Sequence, residues 1–167
     1  MGTEIERKYL VKAAEWRSHL QKLQQEFPEL GEQYCQGYIP TINRTTVRLR
    51  IIGSQGYITI KSPTKGYTRS EFEYPIPLED ARQMLKTLCV KPLIEKTRYK
   101  IKHGNLIWEI DEFVGENKGL IIAEVELENE AQKIELPHWI DKEVRDKKYF
   151  NSSLVKYPYS QWKENNL

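Results

Sequence analysis

Residues 4–8, Glu-Ile-Glu-Arg-Lys, place a charged side chain on every second position near the start of the chain. Successive side chains of a β-strand point to opposite faces, so Glu4, Glu6 and Lys8 would share one face. The other face would be apolar apart from Arg7. A single strand of this kind is typical of an exposed sheet edge. The remaining strands must show whether its charged face has a function.

The same alternation continues along most of the chain. Residues 53–56 and 103–105 have the composition of tight turns, which indicates antiparallel neighbours. The predicted strands are residues 3–11, 34–39, 45–53, 56–62, 67–76, 95–103, 105–114 and 120–129. Apolar residues at helical spacing predict helices at 13–26, after Pro77 and near 151–156.

Every predicted strand except residues 34–39 carries charge along one face, often of one sign. An antiparallel sheet with one wet face explains any single strand. Like charges two positions apart repel each other, however, and strongly when desolvated. Seven or eight strands can close on themselves, and charges from different strands can then meet in the lumen. The sequence therefore predicts a mainly β (α+β) single domain over residues 1–167. We expect an eight-stranded antiparallel closed β-barrel with a charged interior, helices packed outside, and Arg7 outside the lumen.

The charges of the predicted lumen indicate a ligand. Six cationic side chains come from different strands: Arg48, Arg50, Lys61, Arg69, Lys96 and Arg98. Arginine and lysine both bind phosphate. Five carboxylates cluster on the first and last strands: Glu4, Glu6, Glu124, Glu126 and Glu128. Carboxylates suit hard cations such as Mg²⁺ or Mn²⁺, so the sequence predicts a metal-dependent reaction on a polyphosphate.

Composition narrows the class of protein. The net charge is +2 and no block of like charges suggests a nucleic-acid partner. The two cysteines, Cys35 and Cys89, have no partner motif, which favours free structural thiols and a reducing compartment. No signal peptide or membrane span is indicated. We therefore expect a cytoplasmic protein with no membrane or nucleic-acid partner, acting as a monomer or homodimer.

At this point the sequence resembles the CYTH superfamily, the triphosphate tunnel metalloenzymes. Glu4, Glu6 and Lys8 match the ExExK signature of that family, and similar blocks follow in order over residues 3–160. These blocks are YCQGYI, VRLRI, YITIKS, RSEFEYPI, EKTRY, WEIDEF, GLIIAEVELE and PHWIDKEVRDKKYFN. The resemblance implies an eight-stranded tunnel open at both ends. Members hydrolyse inorganic triphosphate, thiamine triphosphate or RNA 5′-triphosphate ends, or cyclise ATP.

The resemblance also implies roles for individual residues. The metal ligands would be Glu4, Glu6 and Glu126. The triphosphate would be held by Arg48, Arg50, Lys61, Arg69 and Arg98, with Lys142 closing the tunnel. Charge on the transferred phosphoryl or leaving group would be stabilised by Lys8 and Lys96. A water would be positioned by Glu124 or Glu128, and the cations would be oriented by Glu71, Glu73 and Asp111, unless those carboxylates join the metal shell.

The resulting prediction is a Mg²⁺- or Mn²⁺-dependent hydrolase acting on inorganic triphosphate. The alternatives are a nucleoside or thiamine triphosphatase, a class IV-type adenylyl cyclase, and a non-catalytic polyphosphate-binding module. Residues 41–46 would form a mobile rim from which Arg44 reaches the outer end of the substrate. Arg145 departs from the family pattern, in which threonine more often follows Glu-Val.

Overall fold

The computed structural model describes residues 2–162. Within them, nine β-strands form one sheet. Their bounds are Gly2–Val11 (β1), Glu32–Ile39 (β2), Thr46–Ile52 (β3), Gln55–Lys61 (β4), Thr68–Ile76 (β5), Ile94–His103 (β6), Leu106–Phe113 (β7), Ile121–Glu126 (β8) and Ile140–Val144 (β9). The α-helices are Ala13–Glu26 (α1), Leu78–Thr87 (α2) and Asn151–Lys156 (α3). Residue 1 and residues 163–167, which the predicted domain includes, lie outside the described residues.

Eight of these strands close into a barrel. Their order is β5-β4-β3-β2-β6-β7-β8-β1, and β1 also pairs with β5. All the pairings are antiparallel, and the closing seam joins Gly2–Ile5 to residues 68–71. Closure leaves no free sheet edge along that seam. The predicted eight-stranded antiparallel closed barrel is therefore confirmed.

The ninth strand is a feature that the sequence did not predict. β9 pairs with Lys8, Tyr9 and Val11 of β1, beyond the point where β5 leaves that strand. It is short, and its alternation is too brief to distinguish it from a loop. At the other end of the prediction, β8 ends at Glu126 rather than near residue 129. The chain turns after Leu127, and the backbone N–H of Glu128 donates to the side chain of Gln132 at 2.7 Å.

Most of the hydrophobic core lies outside the barrel, between the sheet and the helices. α1 buries Trp16 against Trp139, with ring centroids 5.1 Å apart. Trp139 in turn packs on Trp108 of β7 at 6.0 Å, and all three rings are fully buried. α2 covers the opposite side, where Leu85 packs near Leu49 of β3. Apolar side chains therefore face outward and charged ones inward, as predicted.

One end of the lumen is apolar instead of charged. Ile94, Phe113 and Ile122 continue the inward-facing alternation of β6, β7 and β8, and they are buried. Leu154 of α3 packs against them in one cluster. The resemblance implied a tunnel open at both ends, but α3 fills part of this end because those three side chains give it an apolar surface to cover.

The remaining features agree with the sequence. The predicted helices near 13–26, after Pro77 and near 151–156 are all present. Cys35 and Cys89 are free thiols. Within residues 2–162, every helix is too short or too polar to cross a lipid bilayer.

The close contact between α2 and β4 depends on Gly56, which has no side chain. A Cβ added at Gly56 would lie 2.8 Å from the Cβ of Ala81 and 3.1 Å from the carbonyl oxygen of Ile76. We expect Gly56→Ala to lower the free energy of unfolding by about 1–3 kcal/mol, because overpacking must be relieved by moving α2. Gly2→Ala is the matched control, since its nearest neighbour would be 3.9 Å away. Urea unfolding of both variants measures the difference, and equal stabilities would contradict this account.

Candidate active site

The barrel lumen contains a cavity of about 340 Å³. Its wall is mostly charged. The cationic residues are Lys8, Arg48, Arg50, Lys61, Arg69, Lys96, Arg98 and Lys100. The carboxylates are Glu4, Glu6, Glu71, Glu73, Glu109, Glu124 and Glu126. Because every barrel strand contributes at least one lining residue, the closed fold, and not any local segment, assembles this site.

Two residues predicted for the site lie elsewhere. Glu128 follows the end of β8 and is exposed, and Lys142 is exposed on β9. Neither lines the cavity. Glu128 was placed on the inward face by extending the alternation past Glu126, but the turn after Leu127 ends the strand. Lys142 lies on the added strand outside the barrel, so its prediction as a closing residue has no support from its position.

Three carboxylates each contact two cations of the wall. Glu4 accepts hydrogen bonds from Lys61 Nζ at 3.1 Å and from Arg69 Nε at 2.8 Å. Glu73 lies 3.5 Å from Arg48 and 3.3 Å from Arg50. Asp111, fully buried behind the wall, contacts Lys96 and Arg98. Glu71 adds one further contact, 3.3 Å from Lys61.

The pKa values follow from this sharing. Burial acts to raise the pKa of Glu4, but Lys61 and Arg69 outweigh it and lower the pKa to about 2. Burial lowers the pKa of Lys61, with Arg48 adding to the effect. Burial also lowers the pKa of Arg50 to about 10, and Arg48 and Arg98 repel its charge. Lys61 and Arg50 are thus incompletely neutralised, whereas Glu4 outweighs the effect of burial on Arg69 and raises its pKa.

Lys96 shows this shortage of negative charge most clearly. Arg98 donates to both oxygens of Asp111, at 2.7 and 2.8 Å. Lys96 Nζ donates to the same carboxylate at 2.8 Å. Burial lowers the pKa of Lys96 to about 7 despite this contact. Burial disfavours ionised Asp111 too, but Arg98 and Lys96 outweigh it and hold its pKa below the usual value. Asp111 thus serves two buried cations, of which Arg98 also contacts Glu109 at 3.3 Å.

The opposite wall has the reverse arrangement, with two carboxylates around one cation. Lys8 Nζ lies 3.0 Å from Glu124 and 3.5 Å from Glu6. Burial and the neighbouring Glu124 raise the pKa of Glu6 to about 8, although Lys8 opposes them. Burial and the charges of Glu4 and Glu71 also raise the pKa of Glu126. Crowded carboxylates of this kind favour an added cation.

The donor chemistry of this wall fits a hard divalent cation, because the oxygens of Glu4, Glu6 and Glu126 are the ligands that such ions prefer. In residues 2–162, no three carboxylate, imidazole or thiol groups already converge as a metal site. Glu4 is turned toward Lys61 and Arg69 instead. A cation held here would therefore draw Glu4 away from at least one of these partners.

The structure adds residues that the sequence reasoning missed. The Tyr34 ring lies 5.0 Å from the guanidinium carbon of Arg50 and 4.9 Å from that of Arg98, so one aromatic ring attracts both cations. Tyr34 shares the alternation of β2 and could have been found from it. Phe150, Asn151 and Ser152 also line the cavity. Nothing in their local sequence indicates this, because the folded chain brings them back to the barrel.

The outer residues are placed as follows. Arg7 lies outside the lumen as predicted, with its guanidinium 5.0 Å from the Tyr67 ring. Arg145 stacks on the same ring at 4.6 Å and contacts Glu143. Arg44 is exposed, has a φ of 63°, and does not line the cavity. Its predicted contact with substrate stays a prediction.

Comparison with known proteins places the chain in a family. The family model described as CYTH domain matches residues 2–155. That match covers most of the 167 residues, so the chain belongs to the CYTH family. The resemblance carried by Glu4, Glu6 and Lys8 is thereby confirmed.

Individual relatives are consistent with this membership. An inorganic triphosphatase of Acetivibrio thermocellus is 45% identical over 165 residues, which are 98% of this chain and 100% of that protein. A crystal structure of an inorganic triphosphatase superposes with a TM-score of 0.60 at 30% identity, covering 91% of this chain and 97% of the other. A putative adenylate cyclase from Bacillus halodurans, 16% identical, has a TM-score of 0.59 and covers 78% of this chain and 84% of its own. At that identity the likeness shows the fold alone.

Removal of Asp111 tests the buried cluster. We expect Asp111→Ala to lower the free energy of unfolding by about 3–5 kcal/mol, because Lys96 and Arg98 would stay buried without their shared partner. The control is Glu79→Ala, which breaks an ion pair whose side chains are 71% and 59% exposed and should change stability by less than about 0.5 kcal/mol. Chemical denaturation compares the two variants. An Asp111→Ala loss no larger than that of the control would contradict the charge-sharing account.

Proposed function

We propose that this protein is a divalent-metal-dependent hydrolase of inorganic triphosphate. One observation carries the proposal: the closed lumen is lined by two groups of side chains that lack counter-charge. Burial lowers the pKa values of the cations Lys61, Lys96 and Arg50, and burial with neighbouring carboxylates raises those of Glu6 and Glu126. The first group is short of negative charge, and the second is short of positive charge. A polyanion with a bound cation would supply both.

Two relatives support the choice of substrate. Both the Acetivibrio thermocellus protein and the solved structure at 30% identity are named inorganic triphosphatases. The first aligns with this chain along its entire length. The proposed activity therefore rests on agreement between a wall built for a compact polyanion and relatives with that activity.

The two walls of the lumen would have different roles. Arg48, Arg50 and Arg98 would bind phosphate oxygens through guanidinium N–H groups, which hold such oxygens in fixed directions. Lys61 and Arg69 would bind near the mouth, where Glu4 already orients them. Lys8 and Lys96 would oppose the charge that develops on the transferred phosphoryl and leaving group. Because these groups are fixed before substrate arrives, little reorganisation is needed during the reaction.

Glu4, Glu6 and Glu126 would hold the metal, which we propose to be Mg²⁺ or Mn²⁺. When bound, such an ion neutralises phosphate charge and favours ionisation of the attacking water. Glu124 lines the same wall and is the candidate for orienting that water, whereas Glu128 lies too far along the chain to reach it. Glu71, Glu73 and Asp111 would orient the cations that they contact.

Domain organisation, location, partners and oligomeric state are also proposed. We infer one CYTH domain, a cytoplasmic location, and a small-molecule substrate instead of a nucleic acid or membrane, with the chain acting as a monomer or homodimer. The near balance of charge, with 26 Lys and Arg against 24 Asp and Glu, supports the absence of a nucleic-acid partner because affinity for nucleic acid depends on a positive excess.

Substrate choice is decided by a phosphate-release panel. We expect release from inorganic triphosphate with Mg²⁺ or Mn²⁺, and none in EDTA, because the carboxylate wall requires a cation. Pyrophosphate, ATP and thiamine triphosphate are the comparison substrates. Faster turnover of ATP or thiamine triphosphate would identify an organic triphosphatase, and pyrophosphate release from ATP would identify a cyclase. Tight triphosphate binding without phosphate release in either metal would identify a binding module and refute the proposal.

Glu126 and Glu128 form a natural matched pair for the metal assignment. We expect Glu126→Ala to reduce kcat by at least about 100-fold, because loss of a metal ligand weakens both metal binding and its alignment. Glu128→Ala should retain turnover near that of the unmodified protein, since this side chain follows the end of β8 and does not line the cavity. Steady-state phosphate release at saturating Mg²⁺ measures both. An equal change in kcat in the two variants would contradict the assignment of Glu126, and not Glu128, as the metal ligand.

A further inference from the structure

Asn151, the first residue of α3, is part of the cavity wall although it lies 25 residues beyond the last barrel strand. Its side-chain oxygen accepts two hydrogen bonds. Lys96 Nζ donates to Asn151 Oδ1 at 2.9 Å, and Gln36 Nε2 donates to the same oxygen at 3.2 Å. Both donors are buried, Lys96 at 2% and Gln36 at 0% exposure. The oxygen of this amide is therefore fully engaged.

These contacts fix which way the amide faces. A lysine ammonium has only hydrogen-bond donors, so it must be met by the oxygen and not by the nitrogen of an amide. Reversing the Asn151 amide would place its NH₂ group against the Lys96 ammonium. Among residues 2–162, Asn151 Nδ2 makes no hydrogen bond, and it is not a buried atom. Two N–H donors are thus free and accessible, on a residue that lines the cavity.

The segment that carries Asn151 is held firmly in place. Leu154 and Val155 of α3 pack into the apolar cluster at that end of the barrel. Phe150, immediately before Asn151, lies with its ring 5.5 Å from Lys8 Nζ. Adjacent residues of one segment therefore contact the two lysines on β1 and β6 that the proposed function assigns to the reacting phosphoryl. A donor held this way needs little ordering when a ligand binds.

We propose that Asn151 is an additional substrate-binding residue, whose Nδ2 donates a hydrogen bond to a phosphoryl oxygen of inorganic triphosphate. Its Oδ1 meanwhile positions Lys96 beside the same substrate. The inference rests on the proposed function and deepens it, because it makes α3 part of the substrate site as well as a packing element. Charge supports the assignment, since a neutral donor binds an anion without adding to the repulsion among the buried cations.

Asn151→Asp separates this role from a purely structural one. The substitution keeps an oxygen for Lys96 and Gln36 but replaces both N–H donors by an acceptor that repels phosphate. We expect it to lower kcat/KM for inorganic triphosphate by at least roughly 100-fold, and Asn151→Ala by roughly 10- to 100-fold. Asn105→Asp makes the same charge change in an exposed turn and should alter kcat/KM by less than about two-fold.

The opposite ranking would overturn the inference. If Asn151 only held Lys96, Asn151→Asp would retain the activity of the unmodified protein while Asn151→Ala lost it. A second measurement uses the unmodified protein, so it does not depend on whether Asn151→Asp folds. The ¹⁵N-edited NMR signal of the Asn151 side-chain NH₂ should shift when inorganic triphosphate is added in EDTA. An unmoved signal in a protein that binds triphosphate refutes the Asn151 contact alone. If the unmodified protein neither binds nor hydrolyses triphosphate, the proposed function and this inference fall together.

Discussion

The contact of Glu4 with Arg69 and Lys61 joins the closure of the barrel to the chemistry of its lumen. Glu4 and Arg69 are paired residues of the seam between β1 and β5, which has only four residue pairs. Their side chains meet at 2.8 Å inside the barrel, and Lys61 of β4 joins them. The same carboxylate is a proposed metal ligand. Closing the sheet and preparing the site therefore rely on one group, and a bound cation would compete with the seam for it.

A barrel with an apolar exterior and a charged interior is possible because different interactions stabilise its two faces. Outside, Trp16, Trp108 and Trp139 bury large apolar surfaces between α1 and the sheet. Inside, buried charges are stabilised because one carboxylate contacts two cations, as Asp111 contacts Lys96 and Arg98. Burial still lowers the pKa values of Lys96, Lys61 and Arg50, and these incompletely neutralised cations would contribute affinity for a polyanion. The outer layer thus supplies the apolar burial that stabilises the fold, and the inner layer can be arranged for binding as long as its charges keep their partners.

How much could be predicted from the sequence depended on where each residue lies. Residues inside strands obey a strict period of two, so Glu4, Arg50, Lys96 and Glu124 could be assigned to the lumen without a structure. The period fails where a strand ends, and Glu128 was misplaced because a turn, not the alternation, directs its side chain. Asn151 was missed for another reason: its place on the wall is set by long-range packing of α3, which no local pattern encodes.

The four tryptophans of the chain fall into two separate groups. Trp16, Trp108 and Trp139 share one cluster on the outer side of the barrel. Trp162 belongs to the cluster around α3, with Tyr149 and Tyr159 at centroid distances of 5.2 and 5.0 Å. Intrinsic fluorescence therefore has two independent sources. A protein keeping only Trp162 would report on detachment of the C-terminal segment, and one lacking only Trp162 would report on unfolding of the barrel.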